Sequence, residues 1–580
     1  MTPGRRLLAG LVAAAAVLLL GRALALVYAD YAWYSALGAT SVWEEKARDV
    51  AVTHTVSAVF AGLFALLNLS SIRRSIMSLA FPRRLGNVEF GEAVPTRYLD
   101  RAVMAFSVGI AFLMALLVPS WQQLALVRAG ARFGESDPFF QMDMSFYVAW
   151  LPLENATYAW TLALLVSVSA VVIGLYALTP SLKWERGAFR LSAHVRRHLS
   201  VLGALFLLVM AWSYRLDGYH LLIHGTGVNG MFSYVDHQWL IPAYLSLSIV
   251  AVAGAALVLV SGWTGQIRAI FYTISAVLVC SIALDLALPS VARRIEGSSA
   301  DAANQQSYAA TRAAFTRRAY GETAGVRLGP REVTRFAPFG DSARSAALIE
   351  EDRRRMLVYP GARGAAVVAH GAAMAAPALG SGLNRLVHAW AEQRLDLMWS
   401  SLPPGAKIAR RRDVRERVAA LVPVFAQGSY VNPAFLGDTV LWVVELYSAS
   451  EWYPLSAHFT LAGEDRSYFR HAGTALVNSM TGRLMIVSDP APDPTAIAWR
   501  TRFPAIFGAG RADILDALTA NPTGAGASQS GGGAFPAGSD TAFRREVSRL
   551  YARMRQFLIS GDLKGFGAAY DSLGAVIRRE

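Results

Sequence analysis

The chain has 580 residues, is 54% hydrophobic, and carries 55 Lys+Arg against 41 Asp+Glu for a net charge of +14. So large an apolar share argues against an ordinary soluble protein of this length. The single cysteine, Cys280, excludes an intrachain disulfide and any cysteine-based zinc or iron–sulfur centre.

In chain order, apolar stretches fall near residues 7–28, 50–70, 102–119, 157–178, 198–213, 242–262 and 268–288. Each approaches the ~20 residues that cross a hydrocarbon core. The first begins after Arg5 and Arg6 and ends without a clear small-residue cleavage site, so it reads as an uncleaved span. Basic residues alternate between the connecting segments. Fourteen fall on one side, in the N-terminus, the loops after spans two and four, and the turn after span six. Five fall on the other side, at Lys46, Arg48, Arg128, Arg132 and Arg215. The positive-inside rule then puts the N-terminus in the cytoplasm and the large C-terminal part outside the cell membrane. The basic charge is therefore topology chemistry, and no nucleic-acid partner is expected. Membrane lipids are the expected partners instead.

Few polar residues interrupt the spans. Arg22 lies inside the first and is expected to snorkel or to pair internally. Asp285, near the end of the seventh, reads as an interfacial aspartate pairing with Arg293 or Arg294, with a substrate or ion role as the alternative. The spans show no chain of carboxylates for proton relay, and their small residues favour close helix packing.

Two connecting loops are too rich to be idle. The first runs Asp137-Pro138-Phe139-Phe140-Gln141-Met142-Asp143-Met144-Ser145-Phe146-Tyr147. Its aromatic residues suit a membrane interface, as a structural anchor or as a lip that binds lipid or a partner. The second runs from Tyr214-Arg215-Leu216-Asp217 through Gly225, Gly227 and Gly230 to Asp236-His237. His220, His224, Asp236 and His237 lack tight metal spacing, so a structured loop is expected rather than a metal site. Asp137, Phe139, Asp143, Phe146, Tyr147, Arg215, Asp217, Asp236 and Asp285 are the candidate binding or structural residues.

The rear half begins with a polar helical connection that includes Ser307–Tyr320. A Gly/Ala-rich stretch at 360–383 follows, as strand and loop or as a poorly ordered stretch. Amphipathic helix is then expected from Leu383 to Ser400 and over 410–426. The positive start of the second, Arg410-Arg411-Arg412, disfavours the helix dipole and calls for acidic or phosphate partners. Strands are expected at Thr439–Tyr447 and Arg483–Ser488. Residues 521–539 read as a Gly/Ser-rich linker and 540–580 as a helical hairpin. The expected architecture is an α-helical multi-pass domain of seven spans (1–290) followed by a mixed α/β extracytoplasmic domain (291–520).

No Walker loop, nucleophile elbow, H-E-x-x-H or dinucleotide fingerprint occurs, and no cofactor, metal or catalytic residue is expected. A glycosidase-type carboxylate pair would come from distant positions and leaves no local signature. Several segments, in order, carry a resemblance: Asp137-Pro138 to Pro152, Tyr214-Arg215-Leu216-Asp217, Pro242-Ala243-Tyr244, Thr311-Arg312, Arg415-Glu416-Arg417-Val418, Tyr453-Pro454-Leu455-Ser456, Phe503-Pro504-Ala505-Ile506-Phe507 and Gly561-Asp562-Leu563. With them the chain resembles the UPF0182 family of bacterial multi-pass membrane proteins. The resemblance implies seven spans and an extracytoplasmic domain, and it carries over no catalytic residue. Typical members look longer. Their soluble region between Thr311-Arg312 and the Arg415 helix is shortened here, and a Thr-His-Gly stretch survives only as an echo near Val367 to Gly371.

The expected function is non-enzymatic: a membrane-anchored module that binds or organises something at the outer surface, within a larger assembly. A membrane-protein partner or a homo-oligomer fits that expectation. The alternative is transport or export of a lipid or other envelope component.

Overall fold

A computed structural model describes residues 3–77, 84–85, 88–89, 96–177, 182–185, 188–296, 298–321, 332–333, 356–368, 373–436, 439–507 and 514. The expected linker at 521–539 and helical hairpin at 540–580 lie outside the described residues. Among the described residues, seven helices are long and apolar enough to cross a membrane. In order, spans 1 to 7 are Ala9–Ala36, Thr40–Ile72, Arg97–Leu116, Phe146–Ala177, Ala193–Ile223, Asp236–Thr264 and Ile267–Leu286. Several run longer than the apolar stretch that announces them. Span 5 extends from the expected 198–213 to 31 residues, and span 2 begins at Thr40 instead of 50. Hydropathy registers only the part of a helix that meets lipid, and the polar ends continue because they pack against protein.

Spans 2, 3, 4 and 5 share one core that includes Ala65, Leu69, Met114, Val168 and Leu202. Spans 5, 6 and 7 share a second, with Leu207, Ala211, Ala251, Val258 and Val277. Small residues on these faces let the helix backbones approach, the usual basis of packing where water supplies no driving force. The opposite faces expose Leu67, Ile249 and Phe271, and span 1 exposes Leu19, as lipid-facing surfaces do. Short hairpins β1 (Arg84–Leu85)/β2 (Val88–Glu89) and β3 (Leu182–Glu185)/β4 (Ala188–Leu191) lie between spans 2 and 3 and between spans 4 and 5.

Beyond span 7 come the helices Leu288–Glu296 and Ser298–Tyr320, then a mixed α/β domain. Strand β5 (Ala366–Val368) pairs antiparallel with β6 (Lys407–Ala409). The main sheet contains β7 (Ala426–Gln427), β8 (Asn432–Leu436), β9 (Thr439–Ser450), β12 (Tyr468–Asn478) and β13 (Leu484–Ser488). Its order is β13-β12-β9, with β7 and β8 both on the free edge of β9, and every pairing is antiparallel. A side hairpin joins β10 (Phe459–Leu461) to β11 (Glu464–Arg466). Strand β12, central to the sheet, is not among the expected strands. Along β9, Val440, Trp442, Val444 and Leu446 enter one core while Leu441 and Val443 enter another, so the strand is buried on both faces.

Instead of one helix over 410–426, the chain forms a helix over Val414–Leu421 and then β7. Asp413 caps the helix by accepting from Glu416 N at 3.0 Å. Arg410, Arg411 and Arg412 stay outside it, which removes the dipole conflict. The amphipathic stretch after residue 383 is two helices, Leu383–Ala391 and Asp396–Trp399.

The largest core is not built by the rear half alone. Trp33, Tyr34, Ala39 and Val42, from the end of span 1 and the start of span 2, sit in it with Trp442, Val418 and Trp499. Trp33 is fully buried. Tyr34 Oη donates to Ala420 O at 2.7 Å, across 386 residues of sequence. Membrane bundle and domain therefore share a core within one compact unit, Met1–Pro522.

Candidate functional site at the membrane–domain junction

The candidate residues gather where the domain-side ends of the spans meet the α/β domain. Asp137 is buried and organises its turn. It accepts from the backbone N–H groups of Phe139 (2.9 Å), Phe140 (2.6 Å) and Met142 (2.8 Å), and from Tyr147 Oη (3.0 Å). Gln141, at φ +57°, completes the tight loop. Asp143 accepts from the N–H groups of Phe133, Gly134 and Ser145. Burial alone would raise its pKa, but the hydrogen bonds from Ser145, Phe133 and Gly134 outweigh it and hold the carboxyl below the usual range. Asp236 repeats the device in the second loop, accepting from Thr226 N and Oγ1 and from Ser233 N and Oγ. These three carboxylates spend their acceptor capacity on nearby backbone and hydroxyl groups.

The aromatic candidates pack between the two loops and the helix that enters the domain. Phe139 meets Phe232 and His237 with ring centroids 4.7 and 4.6 Å apart, and lies parallel to Tyr308 of the Ser298–Tyr320 helix. Phe146 contacts Tyr147 and Tyr219 edge-on. This cluster continues into the domain through Phe315, Tyr453, Leu455 and Tyr468.

Arg215, Asp217 and Asp285 form a separate layer at the span ends. Glu154 of span 4 pairs with Arg215 of span 5 and also accepts from Trp212 Nε1 (2.9 Å) and Trp150 Nε1 (3.1 Å). Asp285 accepts from Tyr244 Oη of span 6 at 2.7 Å, while the side chain of Arg293, one of its two expected partners, lies outside the described residues. Asp217 accepts from Ser213 Oγ at 3.3 Å. The structure thus brings Asp137, Phe139, Asp143, Phe146, Tyr147 and Asp236 into one junction and leaves Arg215, Asp217 and Asp285 in a polar layer beside it.

Residues not singled out in the sequence lock this junction. Leu455 N donates to Leu222 O at the end of span 5 (2.7 Å), with Leu455 itself at φ +60°. Ala457 N donates to Thr316 Oγ1 (3.0 Å), and Tyr320 Oη donates to Ala457 O (2.9 Å). His458 bridges Asp465 Oδ2 (2.8 Å) and Ile223 O (3.2 Å), and its ring lies 4.6 Å from that of His224. Burial, and then the nearby His458, lower the His224 pKa. Burial raises the phenol pKa values of Tyr453, Tyr468 and Tyr320.

A second lock closes on spans 1 and 2. Asp30 receives Arg411 (2.5 Å) and Lys46 (3.2 Å). Span 1 thereby supplies the acidic partner that the Arg410–Arg412 run calls for. Glu45 accepts from Arg502 Nε with both oxygens, at 2.6 and 2.8 Å. Fully buried Arg417 donates to the carbonyls of Arg410 (2.9 Å), Arg411 (3.0 Å) and Gly482 (2.9 Å), and sits over the Trp33 ring. Burial lowers its pKa to about 10, so the charge persists at neutral pH. Gly482, at φ +65°, lets the β12–β13 turn approach: a Cβ there would sit 3.0 Å from the guanidinium. Sequence reading misses these partners because each pair joins positions far apart.

Away from the junction, His471 lies between Glu445 (2.8 Å) and Asp489 (2.5 Å) on the sheet, and Thr474 Oγ1 donates to the same Glu445 oxygen. Among the described residues no group of three His, Cys, Asp or Glu side chains is placed to hold a metal ion.

The comparison with known proteins decides the family. The model described as "Uncharacterised protein family (UPF0182)" matches residues 7–326 and 338–518, which includes both loops and the domain segments that lock them. The chain belongs to the UPF0182 family. A UPF0182 protein of Cupriavidus necator is 32% identical over 239 residues, 39% of this chain and 25% of its own length. One of Geobacter sulfurreducens is 26% identical over 357 residues, 59% and 39%. One of Desulforamulus reducens is 26% identical over 313 residues, 51% and 34%. The matched part of this UPF0182 chain spans about a third of the length of these relatives. No solved structure matches. The protein is a multi-pass membrane protein of that family.

Proposed function

We propose that this chain is a membrane-anchored module whose domain faces out of the cytoplasm and binds or organises other components as part of a larger membrane assembly. One observation carries the reading: the domain shares its core with the ends of spans 1 and 2, through Trp33, Tyr34 and Val42. A shared core fixes the height and angle of the domain's free surface over the bilayer, as a platform requires and a loosely tethered enzyme does not. The loop carboxylates agree with this, because Asp137, Asp143 and Asp236 hold turns. The alternation of basic residues, fourteen against five, favours a cytoplasmic N-terminus and an extracytoplasmic domain. Candidate partners are membrane lipids, another membrane protein, or further copies of the chain.

The test is extraction from native membranes under mild conditions, with proteins and lipids both identified by mass spectrometry. The proposal expects a protein partner in fixed ratio, or more than one copy of the chain per particle, lost when Tyr453→Ala loosens the junction. A solitary chain carrying one selectively enriched lipid would overturn it in favour of lipid handling.

A further inference from the structure

The helix Leu383–Ala391 belongs to the α/β domain, yet it lies along the middle of span 1. Trp390 packs so tightly on Gly21 that a Cβ there would come within 2.6 Å of the indole. Val387 and Trp390 pack on Ala25 and Ala29. The charged cluster at Asp30 marks the polar end of this span. Gly21 precedes Asp30 by nine residues, about 13 Å along a helix at 1.5 Å per residue. The Trp390 ring therefore reaches a level where span 1 is purely apolar except for Arg22. Arg22 is met by the same segment: with its amide oxygen turned inward, Gln393 accepts from both terminal guanidinium nitrogens at 2.5 and 3.1 Å. A charge at that depth is costly unless paired.

The face that touches span 1 does not end there. Leu383, Leu386, Val387 and Trp390 follow helical spacing and share one side of the helix. Span 1 covers Val387 and Trp390, while Leu383, one turn away, is 75% exposed. The next helix, Asp396–Trp399, folds back on the first, because Arg385 donates to Leu397 O and Ser400 O. That brings Trp399 back to the Leu383 end. Leu395 and Trp399 are 57% and 76% exposed, as open as the lipid-facing residues of the spans.

We propose that the segment 383–399 is a membrane-embedded hairpin of the domain. It would insert Leu383, Leu395 and Trp399 among the acyl chains of the domain-side leaflet, beside span 1. The occupant of this apolar face is phospholipid. Amphipathic helices that lie in an interface bury such faces ~5–10 Å deep, and here the contact with Gly21 sets the depth independently.

The test uses the full chain with Cys280→Ser, reconstituted in phosphatidylcholine/phosphatidylglycerol vesicles. Spin labels are placed singly at Leu383→Cys, Leu395→Cys and Trp399→Cys, and their accessibility to oxygen and to a water-soluble nickel chelate is read. Leu113→Cys on the exposed face of span 3 sets the lipid reference, and Glu464→Cys sets the aqueous one. The proposal expects the oxygen-to-nickel ratios at the three sites to approach that of Leu113. Ratios equal to Glu464 would overturn it. So would shielding from both reagents, which would mean that a protein or a second copy covers the face. If Trp399→Cys fails to fold, brominated-lipid quenching of the parent against Trp399→Phe reads the same contact. A smaller quenched fraction in the variant supports insertion, and an equal fraction in both overturns it.

Discussion

Trp33 belongs to a membrane span but is enclosed by the domain, with Arg411 and Arg417 over its ring. Cutting a buried tryptophan to alanine typically costs about 3–5 kcal/mol. Trp33→Ala should therefore lower the thermal midpoint of the sheet domain, followed by near-UV circular dichroism in detergent, although the sheet's first strand begins only at Ala426. An unchanged midpoint would place Trp33 outside the core. His388 offers a second residue-level test. It is fully buried with neither ring nitrogen partnered among the described residues. Burial, then Arg410, lower its pKa, while Glu392 opposes the shift. The unfolded chain then binds more protons below the ordinary histidine value of about 6.5. The stability contributed by the neutral ring is full above that value and declines as pH falls through it. The parent should lose more thermal stability between pH 7.5 and 5.5 than His388→Leu does. Equal losses would contradict the assignment.

Between elements, the Glu45–Arg502 pair joins span 2 to the helix Pro494–Arg502 by a bidentate contact, with 9% and 28% side-chain exposure. A double-mutant cycle with Glu45→Ala and Arg502→Ala should give a favourable coupling of about 0.5–3 kcal/mol. Additive losses would show that the two elements are not held together there. The pair also marks the limit of what a sequence shows. All seven spans are legible because their apolar runs are local. Strand β9 is legible because Val440–Tyr447 is apolar at every position but Glu445. Strand β12 is not: Arg470-His471-Ala472-Gly473 breaks the pattern at the bulge where His471 and Gly473 shift register against β9. The turns at Asp137 and Asp236 are visible as rich loops, but a structural aspartate and a binding one look alike until their hydrogen bonds are seen. Pairings such as Asp30 with Arg411, or Leu222 with Leu455, leave no local trace at all.

At the scale of the molecule, the bundle and the domain fold as one body. Two locks support this. Trp33, Tyr34 and Val42 enter the main core, and the loops around Asp137 and Asp236 close on Tyr453, Leu455 and Tyr468. The domain's own segment therefore exposes large apolar surfaces when the spans are taken away. The most direct measurement is the folding of residues 289–522 expressed without the spans, compared with the full chain. The account predicts a segment with no cooperative thermal transition and little near-UV signal, prone to self-association. A monomeric segment that unfolds cooperatively at the midpoint of the full chain would contradict it.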